Sequence, residues 1–180
     1  MNPIDKVLNG LTMYRLVVYV LGIYVALGII FAFTGRVNSN PTDLVVSLGL
    51  ILAPAYVVDR CFGRLFKVPT NMESALITSL ILFLIVQPAD SLAGGLALVL
   101  AGATASASKF LLAWNGKHLF NPAALAAALL SLTGLQTVTW WIGSSAFWPF
   151  TALLGLAVIR KVRRFPLVLT FAAVSVIFQA

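Results

Sequence analysis

Long apolar runs alternate with short polar connections along nearly the whole chain of 180 residues. A helix needs about 20 mainly apolar residues to cross a bilayer, and seven segments approach or reach that length. We predict membrane spans at residues 14–34, 43–58, 71–88, 92–113, 119–136, 144–160 and 165–180. The second is short, and Pro54 is expected to kink it. The pattern predicts an all-α, polytopic membrane bundle, with residues 1–180 as a single transmembrane domain.

Basic residues fall almost entirely in alternate connections. Eleven of the twelve lie at or before the start of the first predicted span, or in and at the edges of the connections between spans two and three, four and five, or six and seven: Lys6, Arg15, Arg60, Arg64, Lys67, Lys109, Lys117, Arg160, Lys161, Arg163 and Arg164. Only Arg36 falls on the other side. Because basic residues favour the cytoplasmic side, the pattern predicts a cytoplasmic N-terminus. The last predicted span is still apolar at residue 180, so we expect a fragment of a longer chain.

Composition narrows the class of protein and the kind of cofactor. With 61% hydrophobic and 9% charged residues, and a mean hydropathy of +1.01, the chain differs from soluble domains, in which about 25% of residues are charged. The net charge of +7 is spread between apolar runs, so no nucleic-acid partner is expected. One cysteine and one histidine cannot provide an iron–sulfur cluster, a bis-histidine haem or a tetrahedral zinc site. A redox cofactor would therefore be organic, a flavin or a quinone.

Acidic and small residues carry two further expectations. The five acidic residues all fall at the ends of the predicted spans or in connections, which argues against a buried carboxylate relay. They are Asp5, Asp43, Asp59, Glu73 and Asp90. Small residues recur every four positions in spans four and five, which predicts close helix packing or, alternatively, a docking face for a partner subunit. They are Ala97, Ala101 and Ala105, then Ala123, Ala127 and Ser131, with Ala124 and Ala128.

Two polar clusters stand where predicted spans three and five begin. In the first, Thr70 and Glu73 have capping-box spacing, which leaves Asn71 unexplained. In the second, Asn121 and Pro122 suit the N-cap and first turn of a helix. Asn115, Lys117, His118 and Phe120 crowd the same stretch. Helix N-termini favour anionic or carbonyl-bearing ligands, and amide side chains both donate and accept. Capping and interfacial roles remain alternatives to ligand binding for these residues.

The stretches TNMESALITSLILFLIVQP (residues 70–88) and ASKFLLAWNGKHLFNPAALAAALL (residues 107–130) resemble a known family. It is the B/D-type membrane subunit of sodium-translocating NADH:quinone reductases and of Rnf ferredoxin:NAD reductases. The resemblance implies a helical bundle that holds flavin and passes electrons within a larger complex. It also implies a cytoplasmic FAD/NAD reductase module, fused or separate, that this chain lacks, and the cytoplasmic (inner) membrane of a bacterium.

The resemblance also bears on individual residues. Asn121 and His118 match the polar residues of the family's non-covalent riboflavin site, and Lys117 and Asn115 are neighbours of these two by position only. We expect Phe120 to stack on the flavin ring, and Asn71 and Glu73 to contribute from the start of span three on the same face. The family's covalent FMN is esterified to a threonine in a Ser-Gly-Ala-Thr-like motif that follows the Asn-Pro-Ala motif. Here Ala101-Gly102-Ala103-Thr104 precedes that motif, so we expect Thr104 to be a packing residue and the flavin, riboflavin or FMN, to be non-covalent.

Two function classes follow. The first is a membrane electron-transfer domain, in which NAD(P)H-derived electrons pass through the flavin to a quinone or to an acceptor across the membrane. The second is a vitamin-binding component of an energy-coupling transporter, in which the flavin is cargo. A purely structural scaffold would explain the packing residues and leave the polar clusters unused. Neither catalytic residues nor metal ligands are predicted.

Overall fold

The computed structural model describes residues 10–115 and 117–179, so Asp5 and Lys6 lie outside the described residues. Seven α-helices lie within the described ranges. They are α1 (Met13–Phe33), α2 (Pro41–Leu65), α3 (Met72–Ile85), α4 (Leu92–Leu111), α5 (Pro122–Thr133), α6 (Trp148–Val162) and α7 (Phe165–Gln179). A small hairpin of β1 (Ala113–Trp114) and β2 (Lys117–His118) joins α4 to α5, and a 3₁₀ turn covers Trp141–Gly143. Each helix falls on a predicted span, and the all-α class is confirmed.

The helices differ in whether they could cross a bilayer. α1, α2 and α4 have 21, 25 and 20 residues and are long and apolar enough to do so. The lengths of α3, α5, α6 and α7 are 14, 12, 15 and 15 residues. At 1.5 Å per residue these four reach about 18–23 Å, which is less than the hydrocarbon core of about 30 Å. Three helices are therefore candidate spans, and the remaining predicted spans stay predictions.

Two charged residues, Asp59 and Lys109, lie within helices rather than in connections. Helix α2 is longer than its predicted span. The sequence placed Asp59 just beyond a short span, whereas it lies inside α2 and is only 4% exposed. Lys109, assigned to a connection, lies in the last turn of α4 and is 8% exposed. The two side chains interact electrostatically, and this compensation allows both charges to lie inside the bundle. The prediction that Asp59 lies in a connection is therefore wrong, because it lies within α2, six residues before the end of that helix.

The closest helix approach joins α2 and α4. Ala97, Ala101 and Ala105 are buried on α4, and a Cβ on Gly102 would lie 2.5 Å from the carbonyl oxygen of Ile51 on α2. The α2 helix continues through Pro54 at this level. The packing role predicted for the small residues of this span is confirmed, because only glycine or alanine allows the two backbones so near each other.

The small residues of α5 differ in burial. Ala123 and Ala127 are buried, whereas Ser131, Ala124 and Ala128 are exposed. The packing prediction is thus confirmed for Ala123 and Ala127. For the three exposed residues the alternative, a docking face for a partner subunit, stays a prediction.

Contacts between helix termini define two ends of the bundle. At one end, Arg15 near the start of α1 pairs with Glu73 in the first turn of α3, with Nε 3.0 Å from Oε1. At the same end, the Nζ of Lys109 donates to the carbonyl oxygen of Ser74 at 3.2 Å. The starts of α1 and α3 therefore lie beside the end of α4. We call this the cavity end, and the helix directions agree with the alternation of basic connections.

The opposite end consists of residues 85–88 and 136–139. We call it the closed end because these two segments pair with each other, although they also line a cavity of about 320 Å³. Val86 and Val138 form an antiparallel bridge. The side-chain amide of Gln136 donates to the carbonyl oxygens of Gln87 and Pro88, at 2.7 and 3.0 Å. Chain segments that leave helices α3 and α5 thus satisfy each other's backbone hydrogen-bonding groups.

Aromatic side chains pack beneath the closed end. Phe147 is fully buried, and its ring centroid lies 5.1 Å from that of Phe31 and 6.3 Å from that of Trp141. The indole N–H of Trp141 donates to the carbonyl oxygen of Phe83 at 3.0 Å. This cluster fixes the start of α6 against the end of α1.

Candidate functional site

A cavity of about 380 Å³ lies at the cavity end, where α2, α3, α4 and the hairpin meet. Its lining comes from two stretches of the chain: Phe66, Val68, Pro69, Thr70, Asn71 and Ser74, then Lys109, Phe110, Ala113 and His118. The volume is within the range of small-molecule sites, roughly 300–1,000 Å³. We treat this cavity as the candidate site because both polar clusters of the sequence contribute to its wall.

A tight helix end directs the chain along the cavity wall. Lys67 has a φ of +54°, its N–H donates to the carbonyl oxygen of Arg64, and the N–H of Val68 donates to that of Gly63. This is a Schellman ending of α2, with lysine where glycine is usual. Gly63 is required here because a Cβ would overlap the methyl group of Thr70. The turn brings the connection between α2 and α3 back over the cavity.

Asn71, rather than Thr70, caps α3. The Oδ1 of Asn71 accepts from the N–H of Ser74 at 3.2 Å, while the hydroxyl of Thr70 accepts from Arg60 at 3.0 Å. Glu73 points to Arg15 instead of back to the cap. The predicted capping box is therefore wrong, because the helix begins one residue later than that spacing requires. The amide NH₂ of Asn71 is the group left to reach a ligand.

The hairpin brings His118 to the cavity. Ala113 pairs with His118, and Asn115 at the turn has a φ of +50°. The Nδ1 of His118 lies 3.2 Å from the carbonyl oxygen of Lys109. A carbonyl only accepts, so Nδ1 donates and Nε2 is the nitrogen available to a ligand.

Buried charges lie beside and behind the cavity. Lys109 lines it, and Asp59 interacts with Lys109 from α2, although the described residues contain no ion pair that joins them within hydrogen-bonding reach. Arg60 lies 5.2 Å over the ring of Tyr56. Within the described part of the chain, neither its buried Nε nor the buried Oγ of Ser106 has a hydrogen-bond partner. Such groups are costly in a low-dielectric interior and often mark functional positions.

One wall of the cavity is aromatic. The rings of Phe66 and Phe110 are stacked, with centroids 6.1 Å apart and an interplanar angle of 14°. Phe62 packs edge-on against both. These lining phenylalanines were not predicted from the sequence, because their contact depends on how the ends of α2 and α4 meet.

Two of the seven predicted site residues, Asn71 and His118, line the cavity. Asn121 caps α5, accepting from the N–H groups of Ala123 and Ala124 at 3.0 and 3.3 Å, as its predicted capping role requires. The remaining four lie elsewhere: Glu73 in its ion pair, and Asn115, Lys117 and Phe120 exposed. Thr104 lies half-buried within α4 and does not line the cavity.

Comparisons with known proteins were negative. No family model matches the chain, and neither a curated protein nor a solved structure matches it. The chemistry of the site therefore has to be argued from the residues of this chain.

Proposed function

We propose that this chain is the membrane domain of an electron-transfer system and that it holds a flavin, riboflavin or FMN, non-covalently in the cavity. The observation that supports this proposal is the convergence of Asn71 and His118 on one cavity with an aromatic wall. The resemblance of residues 70–88 and 107–130 to flavin-holding membrane subunits also supports the proposal.

The cavity offers groups that suit an isoalloxazine ring. The ring edge alternates carbonyl oxygens with an N–H group, and the NH₂ of Asn71 and the Nε2 of His118 provide a donor and an acceptor. The face of Phe110 or Phe66 provides apolar contact for the ring, as aromatic walls do in small-molecule sites.

The proposed setting is a bacterial cytoplasmic membrane that the chain crosses several times. The basic residues at the cavity end support a cytoplasmic position for the cavity and the N-terminus. In that position the flavin would receive NAD(P)H-derived electrons from a cytoplasmic FAD/NAD reductase module, fused or separate. It would pass them to a quinone or to an acceptor across the lipid bilayer.

An absorption spectrum of the purified, detergent-solubilised chain tests the proposal. We expect a flavin band that dithionite bleaches and that acid releases from the protein. A chain that binds neither added riboflavin nor added FMN would contradict the proposal, and a band that stays with the denatured chain would contradict non-covalent binding.

Two matched pairs of variants locate the flavin. Asn71→Ala and Asn121→Ala each remove a helix cap, at about 1 kcal/mol of stability, but only Asn71 lines the cavity. His118→Ala and Lys117→Ala change neighbouring residues of β2, of which only His118 lines it. We expect flavin affinity to fall about tenfold for Asn71→Ala and His118→Ala, which is the loss of about one hydrogen bond. Equal losses in both members of a pair would place the flavin elsewhere.

One observation favours a transporter component as the second candidate. Helices α3 and α5 have only 14 and 12 residues and both begin at the cavity end, and short helices that begin at the substrate site are typical of secondary transporters. The two functions differ in a measurable way. A redox cofactor is reduced by NADH when the reductase module is supplied, whereas cargo is released on dilution and keeps its oxidation state.

A further inference from the structure

We propose that the cavity takes a phosphate-bearing ligand and that Lys109 binds its phosphate. The inference rests on the proposed function in one respect, since it makes FMN rather than riboflavin the preferred flavin. It also extends that function, because it assigns a binding role to a lysine that the sequence placed in a connection.

Lys109 is positioned to meet an anion. Its side chain is only 8% exposed and lines the cavity. An ammonium group has three N–H donors, and the hydrogen bond to the carbonyl oxygen of Ser74 uses one of them. Asp59 interacts with Lys109 through space without a direct ion pair among the described residues. Donors and charge thus remain for an occupant of the cavity.

Cations outnumber carboxylates around Asp59 and Lys109. Arg60, which is half-buried on the same helix as Asp59, also interacts electrostatically with that carboxylate, so two cations share one acid. The Nε of Arg60 is buried and has no hydrogen-bond partner among the described residues. A phosphate monoester carries a charge of about −1.5 to −2 and three acceptor oxygens, which is the complement of this set.

A neighbouring cavity is also lined by basic residues. A second cavity of about 250 Å³ is lined by Arg60 and Arg64 and shares Val68, Pro69 and Thr70 with the first. The hydroxyl of Thr70 accepts a hydrogen bond from Arg60, so the wall that the two cavities share includes a polar contact. By contrast Glu73, the acidic residue nearest the start of α3, is paired with Arg15 and does not line either cavity.

The test compares FMN with riboflavin, which differ only in the phosphate. We expect the detergent-solubilised chain to bind FMN at least about tenfold more tightly than riboflavin, as a charge-assisted contact implies. Lys109→Met should reduce this ratio to about one, and Lys117→Met, which changes an exposed lysine of the hairpin, should leave it unchanged. Equal affinities in the unmodified chain would overturn the inference while leaving the flavin proposal in place.

Two additions keep the test decisive. If Lys109→Met does not fold, Asp59→Asn combined with Lys109→Met removes both buried charges, and the same loss of FMN preference is expected. Thermal unfolding in inorganic phosphate against chloride at equal ionic strength tests the anion site without flavin. Phosphate should raise the Tm of the unmodified chain and of Lys117→Met, but not of the double variant.

A lipid head group is the other source of the same phosphate chemistry. A short-chain phosphatidic acid should displace bound FMN only weakly if the flavin phosphate is the ligand. Displacement at concentrations that match FMN would overturn FMN as the occupant and assign the Lys109 site to lipid. Phosphate stabilisation that depends on Lys109, in a chain that binds neither flavin, would reject the proposed function and retain the anion site. No response to phosphate and no preference for FMN would reject the inference itself.

Discussion

The two ends of this bundle differ in whether their polar groups are hydrogen-bonded. At the closed end, Gln136 donates to two backbone carbonyl oxygens and Trp141 to a third. At the cavity end, the Nε of Arg60 is a buried donor without a partner among the described residues, and Lys109 lines an open cavity. The same apolar helices form both ends, so the overall amino-acid composition does not explain why polar groups are hydrogen-bonded at one end while, in the part of the chain that the structure describes, a buried donor lacks a partner at the other.

The contrast indicates a division of work. Polar groups at the closed end form hydrogen bonds with one another and hold α3, α5 and α6 together. Polar groups at the cavity end are held in place by the fold but remain available, which is the condition for binding a ligand. The two ends should therefore respond differently to substitution, with stability changing at one end and flavin affinity at the other.

The largest effect is expected from Phe147→Ala at the closed end. This ring is fully buried against Tyr24, Phe31 and Trp141, and truncation of such a residue costs about 3–5 kcal/mol. Chemical unfolding in mixed micelles measures the loss, and Phe33→Ala, at a position 75% exposed, is the control. A similar loss in both variants would show that Phe147 does not anchor α6.

Next comes the charge pair at the cavity end. Asp59→Asn leaves Lys109 without its compensating carboxylate, and we expect a loss of about 2–3 kcal/mol in the free energy of unfolding. Asp59→Asn combined with Lys109→Met should recover most of that loss, because no buried charge is then left alone. Additive losses in the double variant would mean that the two side chains do not compensate each other.

A smaller effect is expected from Gln136→Leu. The substitution removes the donor to the carbonyl oxygens of Gln87 and Pro88 and should lower stability by about 0.5–1.5 kcal/mol, the net contribution of a hydrogen bond. Flavin affinity should not change, since Gln136 lies at the end opposite the cavity. A loss of affinity at unchanged stability would contradict the proposed separation between the two ends.

The smallest effect has the opposite sign. Lys67 adopts a left-handed conformation at the end of α2, and Gly35 adopts one after α1. Lys67→Gly should therefore stabilise the chain by up to about 1 kcal/mol, because glycine carries no Cβ penalty there. Gly35→Lys is the reverse control and should destabilise. Equal stability of Lys67→Gly and the unmodified chain would show that residue 67 is not strained.

The sequence was sufficient for the helices and insufficient for the cavity. Apolar runs identified all seven helices, and the pair Asn121 and Pro122 correctly marked the start of α5. The boundary of α2 was misjudged because Asp59 and Arg60 look like the end of a span. The charge of buried Asp59 is compensated by Lys109, which is fifty residues away in the sequence, and local hydropathy carries no information on that interaction.

The β1–β2 hairpin is absent from the sequence predictions for a different reason. Asn115 and Gly116 form the dipeptide that most strongly signals a two-residue hairpin turn, and Asn115 does have a positive φ. The Asn115-Gly116 dipeptide therefore indicates a hairpin turn, which the interpretation of this stretch as a polar cluster leaves out. Recognising it would have paired Ala113 with His118 and placed the histidine next to the end of α4.

The measurement that tests the central claim most directly is flavin binding to a chain whose cavity has been filled. Ala113→Trp puts a large side chain on the lining, and Ala124→Trp puts the same side chain on an exposed face of α5. Titration with FMN and riboflavin should show that Ala113→Trp binds neither flavin while Ala124→Trp binds both like the unmodified chain. Undiminished binding to a folded Ala113→Trp chain would contradict the assignment of the flavin to this cavity.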